Sequence, residues 1–387
     1  MTLRAATALV GAYDTAVGVV PGVTPTELCA EAIRGAVADA GLSLDQVDGL
    51  ITCNAMAQPI LYHAEAMAEY LQLFPKLCLT LPTGGGTTVT ALAHAAAAIH
   101  AGEVDTVVLA MADSLRSGLT RDQAMRMQSS TGHPDFEQPY GPTVPAYYAL
   151  IAQAHMARYG TLPEHFARVA VDTRAHAARN ETAQKRDPIT VEDVLASRPI
   201  ADPLRLLDCS LVSDGGAAVV LTRADRARDL ARAPVYCLGF GEGHSHEHIS
   251  QARDLTASAA SESGEAAFAM AGLGPADLAF AQLYDCFTPT VLVELEDLGF
   301  CAKGEGGAYL ASEGMGPDAR LPVNTHGGML SHCHPGNPGA MFALTEAVRQ
   351  LRGECGERQV AGAEAGLVHA QGGIMSSHAT LILGREV

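Results

Sequence analysis

The chain has 387 residues, of which 48% are hydrophobic and 18% are charged, a composition typical of a globular protein with a large core. Its formal net charge of −18 argues against binding to nucleic acid or to an anionic membrane surface. No apolar run reaches the roughly 18 residues that a membrane-spanning helix needs, and the N-terminal sequence lacks a signal-peptide pattern. We therefore expect no membrane insertion and a cytoplasmic location.

The nine cysteines are scattered along the chain and include no CxxC motif. This spacing is typical of reduced thiols, several of them buried as small apolar side chains. It does not fit a disulfide framework or a zinc site, so we expect no structural metal from the cysteines.

Strands and helices alternate in the first part of the chain, which predicts an α/β layered fold. Thr24 is a predicted N-cap, with Pro25 in the first turn and Glu27 placed for a capping box. The predicted strands are Ala5–Tyr13, Gly49–Cys53, Leu77–Leu81 and Val104–Ala110, and the predicted helices are Thr24–Ala40, His63–Leu73 and an Ala-rich helix that ends at Gly102.

A glycine turn, Gly84–Gly86, joins a strand end to that Ala-rich helix. Such a turn places free backbone N–H groups and the positive end of the helix dipole at one point, which suits an anion or a developing oxyanion. The alternative interpretation is that the glycines only permit a tight turn.

Residues 113–207 change the pattern, because they are rich in Arg, His, Tyr and Pro and show helical stretches without a clear strand. We interpret them as an inserted helical segment that closes over a site. A positively charged group within it could serve an anionic ligand or could be a solvated helix face. This group comprises Arg168, Arg174, Arg179, Lys185 and Arg186. The chain then returns with Gly215 and Gly216 as a predicted turn before a strand, Ala217–Leu221.

The second half repeats the order of the first. A helix, Ala259–Gly272, a GL turn and an apolar strand follow one another as in the first half, and later the helix Gly339–Gly353 precedes the strand Glu364–His369. We infer an internal duplication, with halves at residues 1–231 and 232–387, although common turn chemistry is an alternative explanation.

Four loops at predicted strand ends are candidates for the site, because ligands bind at the carboxyl ends of strands in such folds. Besides the glycine turn they are LYDCF (283–287), the HGGMLSHCHPG stretch (326–336) and HAQGG (369–373). Tyr284 is a possible hydrogen-bond donor or acid, and His334, before Pro335, is a possible base.

Two other features have competing interpretations. The HSHEH stretch, His244–His248, has histidines at alternate positions that could hold a metal. We favour the alternative, a solvated polar loop, because the sequence shows no second cluster of ligands. Cys286 and Cys333 lie in candidate loops, where each is either a nucleophile beside a base or an inert core thiol.

The order TGGGTTVTAL, SDGGAAVVL, LYDCF, HCHPG and VHAQGGIMSSHATLILG resembles the thiolase superfamily over nearly the whole chain. It looks most like sterol-carrier-protein-type thiolases and thiolase-like lipid-transfer proteins. The resemblance implies a duplicated, five-layered α-β-α-β-α fold with an inserted helical loop domain at about residues 113–207. It also implies a homodimer and a CoA thioester as substrate, with no covalently bound cofactor.

The chain departs from the family at the positions of the two catalytic cysteines. The resemblance places Gly85 at or near the position of the nucleophilic cysteine, and His369 or Ala370 near the second catalytic cysteine. The family's GHP histidine is retained as His334, whereas Tyr284 stands where relatives have His or Asn. By resemblance we predict Tyr284, His334 and His369 as catalytic, with Gly85, Gly86, Asp285 and Gly373 as oxyanion or substrate-binding residues.

This set suits retro-aldol cleavage of a β-hydroxyacyl-CoA, which needs no acyl-cysteine. The chain is similar to thiolase-like aldolases that shorten steroid side chains, and those relatives commonly work with a small partner built on an OB-fold with a zinc ribbon. Two rival functions stay open: an acyltransferase that uses another thiol, and a non-catalytic subunit that binds acyl-CoA or lipid.

Overall fold

A computed structural model describes residues 2–387, which form eleven strands and thirteen helices. The strands are β1 (Thr7–Asp14), β2 (Gly49–Thr52), β3 (Leu77–Thr80), β4 (Thr106–Ser114), β5 (Pro199–Ala201), β6 (Leu204–Arg205), β7 (Asp214–Arg223), β8 (Val235–His244), β9 (Phe280–Gln282), β10 (Ala365–Gly372) and β11 (Ser377–Gly384). The helices are α1 (Pro25–Asp39), α2 (His63–Leu71), α3 (Thr87–His100), α4 (Leu115–Gly118), α5 (Arg121–Ser129), α6 (Val144–Tyr159), α7 (Pro163–Ala178), α8 (Val191–Ala196), α9 (Ala224–Ala227), α10 (Ala260–Ala271), α11 (Thr288–Asp297), α12 (Gly306–Ser312) and α13 (Gly339–Arg352).

Nine of these strands form one continuous sheet in the order β3-β2-β4-β7-β1-β8-β11-β10-β9. The strands form two mirrored sets about the β1–β8 junction. Outward from that junction, one set runs β1, β7, β4, β2, and the other runs β8, β11, β10, β9 in the corresponding positions. The two sets are joined where β1 pairs with β8 through Ala8–Tyr236 and Leu9–Val235. The structure therefore shows the duplicated strand order that the sequence predicts.

Helices α3 and α13 form the middle layer of the molecule. Each of them contacts strands of both sets, whereas α1 packs on β1, β4 and β7, and α10 packs on β8 and β11. The layers thus run α-β-α-β-α. Helix α3 can occupy the centre because its Ala-rich sequence is apolar on most sides, and nine of its residues are buried.

Small residues let the outer helices approach the sheet closely. A Cβ at Gly11 in β1 would lie 2.1 Å from the carbonyl oxygen of Ala36 in α1, and one at Gly239 in β8 would lie 2.1 Å from that of Ala267 in α10. The same device occurs at matching places in the two sets of strands, and it sets the helix-to-sheet distance in both.

The predicted N-cap of α1 is confirmed. Thr24 Oγ1 accepts a hydrogen bond from the Glu27 N–H at 3.2 Å, and the Glu27 carboxylate accepts one from the Thr24 N–H at 2.8 Å. This reciprocal pair satisfies N–H groups that the helix cannot satisfy itself, so the helix start is fixed by local sequence.

The segment between β4 and β7 is the predicted helical insertion, with α4–α8 as its helices. It also contains the short two-stranded sheet of β5 and β6, which the sequence pattern did not predict. The predicted turn at Gly215 and Gly216 is wrong. Both residues lie inside β7, where Gly215 has φ +151° and is paired with Asp113 of β4.

All nine cysteines are free thiols, as expected, and most are buried. None of the described helices combines the length and the apolar character needed to cross a membrane.

Candidate active site

A cavity of about 360 Å³ lies where the insertion meets the carboxyl ends of strands from both sets. The insertion contributes mostly apolar side chains, and the polar side chains come mainly from the loops after β9 and before α13. The lining includes Gly84, Gly85, Ser210, Tyr284, Cys286, His334, Asn337, Gln371, Gly372 and Gly373, together with apolar residues of the insertion. A concave site of this size with a few converging polar groups is typical of a small-molecule site.

Tyr284 occupies the space directly above Gly85. A Cβ on Gly85 would lie 2.3 Å from the Tyr284 hydroxyl oxygen and 2.4 Å from the Gln371 carbonyl oxygen. The tyrosine hydroxyl therefore stands where a side chain at position 85 would project. Gly85 belongs to the first half of the chain and Tyr284 to the second.

His334 links Tyr284 to Ser210. The distance from His334 Nε2 to the Tyr284 hydroxyl is 3.3 Å, and the distance from Nδ1 to Ser210 Oγ is 2.8 Å. The His334 N–H also donates to Ser213 Oγ at 3.0 Å, which fixes the backbone of the loop. Both ring nitrogens are thus oriented, one towards Ser210 and one towards the Tyr284 hydroxyl.

Burial sets the protonation of these groups. It lowers the pKa of His334 to about 4, so the imidazole is neutral at pH 7. It also raises the pKa of Tyr284 well above its ordinary value, with further increases from Cys286, Asp285 and Glu294, so the phenol keeps its proton. A neutral imidazole beside a protonated phenol can accept and return a proton.

The glycine turns of the two halves meet at the cavity floor. A Cβ on Gly84 would lie 3.1 Å from Gly372 Cα, and one on Gly372 would lie 2.0 Å from the Thr83 carbonyl oxygen. Gly84, Gly85, Gly372 and Gly373 line the cavity, whereas Gly86 does not. The turn brings backbone groups close to a ligand because no side chains intervene.

Asp285 lies outside the cavity lining and is fully buried. Its carboxylate accepts the Met329 N–H at 2.7 Å and the Leu330 N–H at 3.3 Å. Burial raises its pKa to about 7, although these two backbone donors favour the ionised form. Asp285 therefore fixes the loop that carries His334 and does not face the ligand space.

His369 also lies behind the cavity wall, so the structure does not bring it to Tyr284 and His334. Its Nδ1 is 2.8 Å from Thr380 Oγ1 and its Nε2 is 3.0 Å from His378 Nδ1. Burial lowers its pKa well below the ordinary value. With Glu294 these histidines form the one group of potential metal ligands found among residues 2–387. Within that group His378 Nε2 and Glu294 Oε1 are buried without a hydrogen-bond partner.

The remaining candidates are dispersed. His244 pairs with Ser377 at the end of β8, while His246 contacts the Ile374 carbonyl oxygen, so the HSHEH stretch does not converge on one point. Burial raises the pKa of both Cys286 and Cys333, which disfavours a thiolate at either position. None of the predicted basic residues of the insertion lines the cavity.

Sequence reasoning missed Ser210, Tyr148 and Asn337. Ser210 lies four residues before β7, which runs antiparallel to β4, so its loop lies at the same sheet edge as the loop after β4. The pairing of β7 with β4 is therefore the feature that could have pointed to Ser210 as a site residue. Tyr148 in α6 stacks on Phe287, with ring centroids 4.4 Å apart, and its hydroxyl donates to the Gly373 carbonyl oxygen at 3.1 Å.

Two family models match the chain. The thiolase N-terminal domain matches residues 7–225, and the thiolase C-terminal domain-like model matches residues 241–385. Together with the duplicated layers and the site at their junction, these matches define the chain as a member of the thiolase family.

Three characterised relatives match almost end to end. A 17-hydroxy-3-oxo-4-pregnene-20-carboxyl-CoA lyase of Mycobacterium tuberculosis is 39% identical over 97% of this chain and 98% of its own length. A steroid side-chain-cleaving aldolase of Thermomonospora curvata is 36% identical over 91% of each chain. An acetyl-CoA acetyltransferase of Methanothermobacter thermautotrophicus is 34% identical over 98% of this chain and 99% of its own.

Solved structures give the same fold. An Ltp2–ChsH2(DUF35) aldolase superposes with a TM-score of 0.88 at 35% identity, covering 99% of this chain and 98% of that chain. Human mitochondrial 3-ketoacyl-CoA thiolase in complex with CoA superposes with a TM-score of 0.74 at 15% identity, covering 100% and 99%, which shows the shared fold alone.

Proposed function

We propose that the protein is a CoA-thioester C–C lyase that cleaves a β-hydroxyacyl-CoA by a retro-aldol reaction. The observation that carries the proposal is the Tyr284 hydroxyl, which fills the space above Gly85 and lies 3.3 Å from His334 Nε2. A proton-transfer pair therefore stands where a thiolase of this fold would have its nucleophile.

The reaction needs one proton to move from the β-hydroxyl to Cα. With Ser210 Oγ accepting from Nδ1–H, His334 Nε2 is free to accept the Tyr284 proton while Tyr284 takes the proton of the substrate hydroxyl. The Cα–Cβ bond breaks, and its electron pair forms the thioester enolate. A proton then passes from the Tyr284–His334 pair to Cα of the enolate, which gives a ketone or aldehyde and a shortened acyl-CoA.

The enolate oxygen requires hydrogen-bond donors. Backbone groups of the glycine turns at Gly85 and Gly373 reach the cavity without intervening side chains and supply the polar floor against which the thioester would lie. No step is assigned to His369 or Gly86, because neither lines the cavity.

Two relatives support lyase chemistry and a steroid substrate by their names, and both cover at least 91% of the chain. A thiol-based acyltransferase has less support, because burial raises the pKa of Cys286, a buried thiol of the cavity lining, and Gln371 Nε2 contacts its sulfur at 3.3 Å. A purely binding subunit would not need the oriented Tyr284–His334–Ser210 chain.

The test is a panel of β-hydroxyacyl-CoA thioesters, including steroid side-chain thioesters, followed by mass spectrometry without added CoA. We expect a shortened acyl-CoA and a carbonyl product from the wild type and loss of both in Tyr284→Phe and His334→Ala. Tyr70→Phe and His100→Ala, at positions outside the cavity, are the matched controls. Binding without cleavage, or a covalent adduct on Cys286 or Cys333, would contradict the proposal.

We further propose a small partner subunit, which the family resemblance describes as an OB-fold with a zinc ribbon. The similar structure with a TM-score of 0.88 pairs Ltp2 with ChsH2(DUF35), and this supports the pairing. Affinity purification of the tagged chain from its native cells should recover a small zinc-containing protein in fixed ratio. Recovery of the chain alone, with full lyase activity, would refute this requirement.

A homodimer is the third proposal. Strand β3 is the free edge of the sheet and is only half-buried along its length. Phe74, three residues before β3, is 91% exposed, and Leu61, just before α2, is 81% exposed, which is unusual for large apolar side chains. Light scattering should give twice the chain mass for the wild type and a shift towards the monomer for Phe74→Glu, with Phe136→Glu as control.

A further inference from the structure

The cavity contains no side chain that carries a full charge at neutral pH. Among residues 2–387, the lining includes no Asp, Glu, Lys or Arg, and its histidine, His334, is kept neutral by burial. Its polar members are hydroxyl, amide and imidazole groups. A bound acyl group therefore meets dipoles and apolar surface, with no ion-pair partner.

Most of the apolar wall belongs to the insertion, and Met56 and Phe287 complete it from outside. The insertion supplies Leu115, Val144, Pro145, Ile200, Leu211 and Val212. The reacting pair, Tyr284 and His334, comes from the second half of the chain. The part of the substrate beyond its reacting carbons therefore packs against aliphatic side chains, where an ionised group loses its hydration without compensation.

Two of the three side-chain amides of the cavity, those of Gln371 and Asn337, are already engaged within the protein; the third belongs to Gln128. Gln371 Nε2 already donates to the Tyr148 hydroxyl at 2.9 Å and contacts Cys286 Sγ at 3.3 Å, and its Oε1 accepts the Met375 N–H. Asn337 Nδ2 contacts Cys53 Sγ at 3.4 Å. The side-chain donors beside the reacting pair are thus largely engaged within the protein.

The groups behind the wall offer an anion no partner either. Asp285 and Glu294 are buried next to Tyr284, and the Glu294 carboxylate accepts the Tyr284 N–H at 3.0 Å. The nearest buried guanidinium in the insertion, Arg174, is held by Ser331 Oγ at 2.8 Å and the Asp187 carbonyl oxygen at 3.0 Å. Burial raises the pKa of Asp285 to about 7 and that of Glu294 well above its ordinary value, so both acids are shifted towards their neutral forms. Neither these acids nor the engaged Arg174 supplies a positive charge to the reacting pair.

We propose that the lyase accepts only substrates whose β-carbon bears uncharged groups, so that its carbonyl product is a neutral, largely apolar ketone or aldehyde. A carboxylate on or near the β-carbon, which would yield a 2-oxo acid or another anionic carbonyl product, is excluded by the site. The phosphates of CoA do not conflict with this rule, because the long neutral pantetheine arm leaves them at the solvent end. This inference rests on the proposed lyase function.

The test uses three CoA thioesters with the same hydroxycycloalkyl-acetyl core. One has an unsubstituted ring, one carries a ring carboxylate, and one carries the methyl ester of that carboxylate as a control for size. With the wild type and its co-purified partner, we expect cleavage of the first and third and at least a 100-fold lower kcat/KM for the carboxylate.

Binding separates this inference from the lyase function. Calorimetry with Tyr284→Phe, which should not turn over, measures affinity for the same three thioesters. Weaker binding of the carboxylate alone supports the inference even if the wild type cleaves none of them, which would refute the lyase function. Equal binding or equal cleavage of carboxylate and ester would overturn the inference.

A charge introduced at the rim gives the converse test. Val212 lines the cavity and is 53% exposed, so Val212→Arg can be placed there without burying its charge. We expect it to raise the carboxylate-to-ester ratio of kcat/KM at least tenfold, whereas Val212→Met should leave that ratio unchanged. An unchanged ratio in Val212→Arg would count against the charge rule.

Discussion

Gly85→Ala tests the steric relation on which the proposed chemistry depends. The added Cβ would lie 2.3 Å from the Tyr284 hydroxyl oxygen and 2.4 Å from the Gln371 carbonyl oxygen, and non-bonded contacts below 3.0 Å do not persist. Both contacts must be relieved, so Tyr284 must move and the backbone at Gln371 or Gly85 must shift by about 0.6 Å as well. The Tyr284 hydroxyl would shift by about 0.7 Å or more, starting from the 3.3 Å contact with His334.

We expect two measurable effects of this overlap. Forcing a methyl group into a packed site should lower the free energy of unfolding by about 1–3 kcal/mol. Displacing Tyr284 from His334 by most of an ångström should lower kcat for lyase turnover by about 100-fold, because proton transfer depends on that geometry.

Gly86→Ala is the matched control. It lies in the same turn, yet its added Cβ would find its nearest neighbour, the Ser377 carbonyl oxygen, at 3.5 Å, which is an ordinary contact. Urea unfolding and steady-state turnover of both variants would be compared with those of the wild type. If Gly85→Ala kept both its stability and its activity, the assignment of Tyr284 to the space above position 85 would be wrong.

Four further predictions concern the site and the core. Because His334 must be neutral to accept a proton, activity should fall about tenfold per pH unit below its pKa of about 4, measured in brief pH-jump assays. The buried His332 also has its pKa lowered to about 4, so the unfolded chain binds more protons between pH 6.5 and 4, and circular dichroism should show stability falling as the pH drops through that window. Ser210→Ala should lower kcat about tenfold or more with little change in KM, while Ser210→Thr retains most activity; equal rates in both would refute the orienting role. Phe280→Ala should cost about 3–5 kcal/mol in urea unfolding, since its fully buried ring packs on Gly366, whereas the exposed Phe136→Ala should cost little.

Local sequence chemistry predicted much of the fold. The capping box at Thr24 and Glu27, the glycine turn before α3, the helical insertion and the repeated order of elements are all present, because each depends on residues close together in sequence. The family resemblance added the five layers and placed Tyr284 and His334 in matched loops, and the structure brings those two side chains together.

The errors have a tertiary origin. Gly215 and Gly216 read as a turn, but they lie within β7, where Gly216 packs against Ala112 of the neighbouring strand; a Cβ there would lie 2.6 Å from the Ala112 Cβ. His369 lies on the strand predicted to hold a catalytic residue, yet its side chain pairs with His378 of β11, a strand that the sequence pattern did not separate from the preceding loop. Side-chain direction in both cases depends on a strand partner distant in sequence.

The two glycine turns that touch at the cavity floor also have a consequence for folding. Gly84 and Gly372 belong to opposite ends of the chain, and their backbones meet only when both sets of strands have docked across α3 and α13. Contacts between such distant segments form late in folding, because the conformational entropy of the chain between them must be lost before they can form. Recovery of activity during refolding should therefore lag behind recovery of secondary structure, and turnover becomes a reporter of the last long-range assembly step.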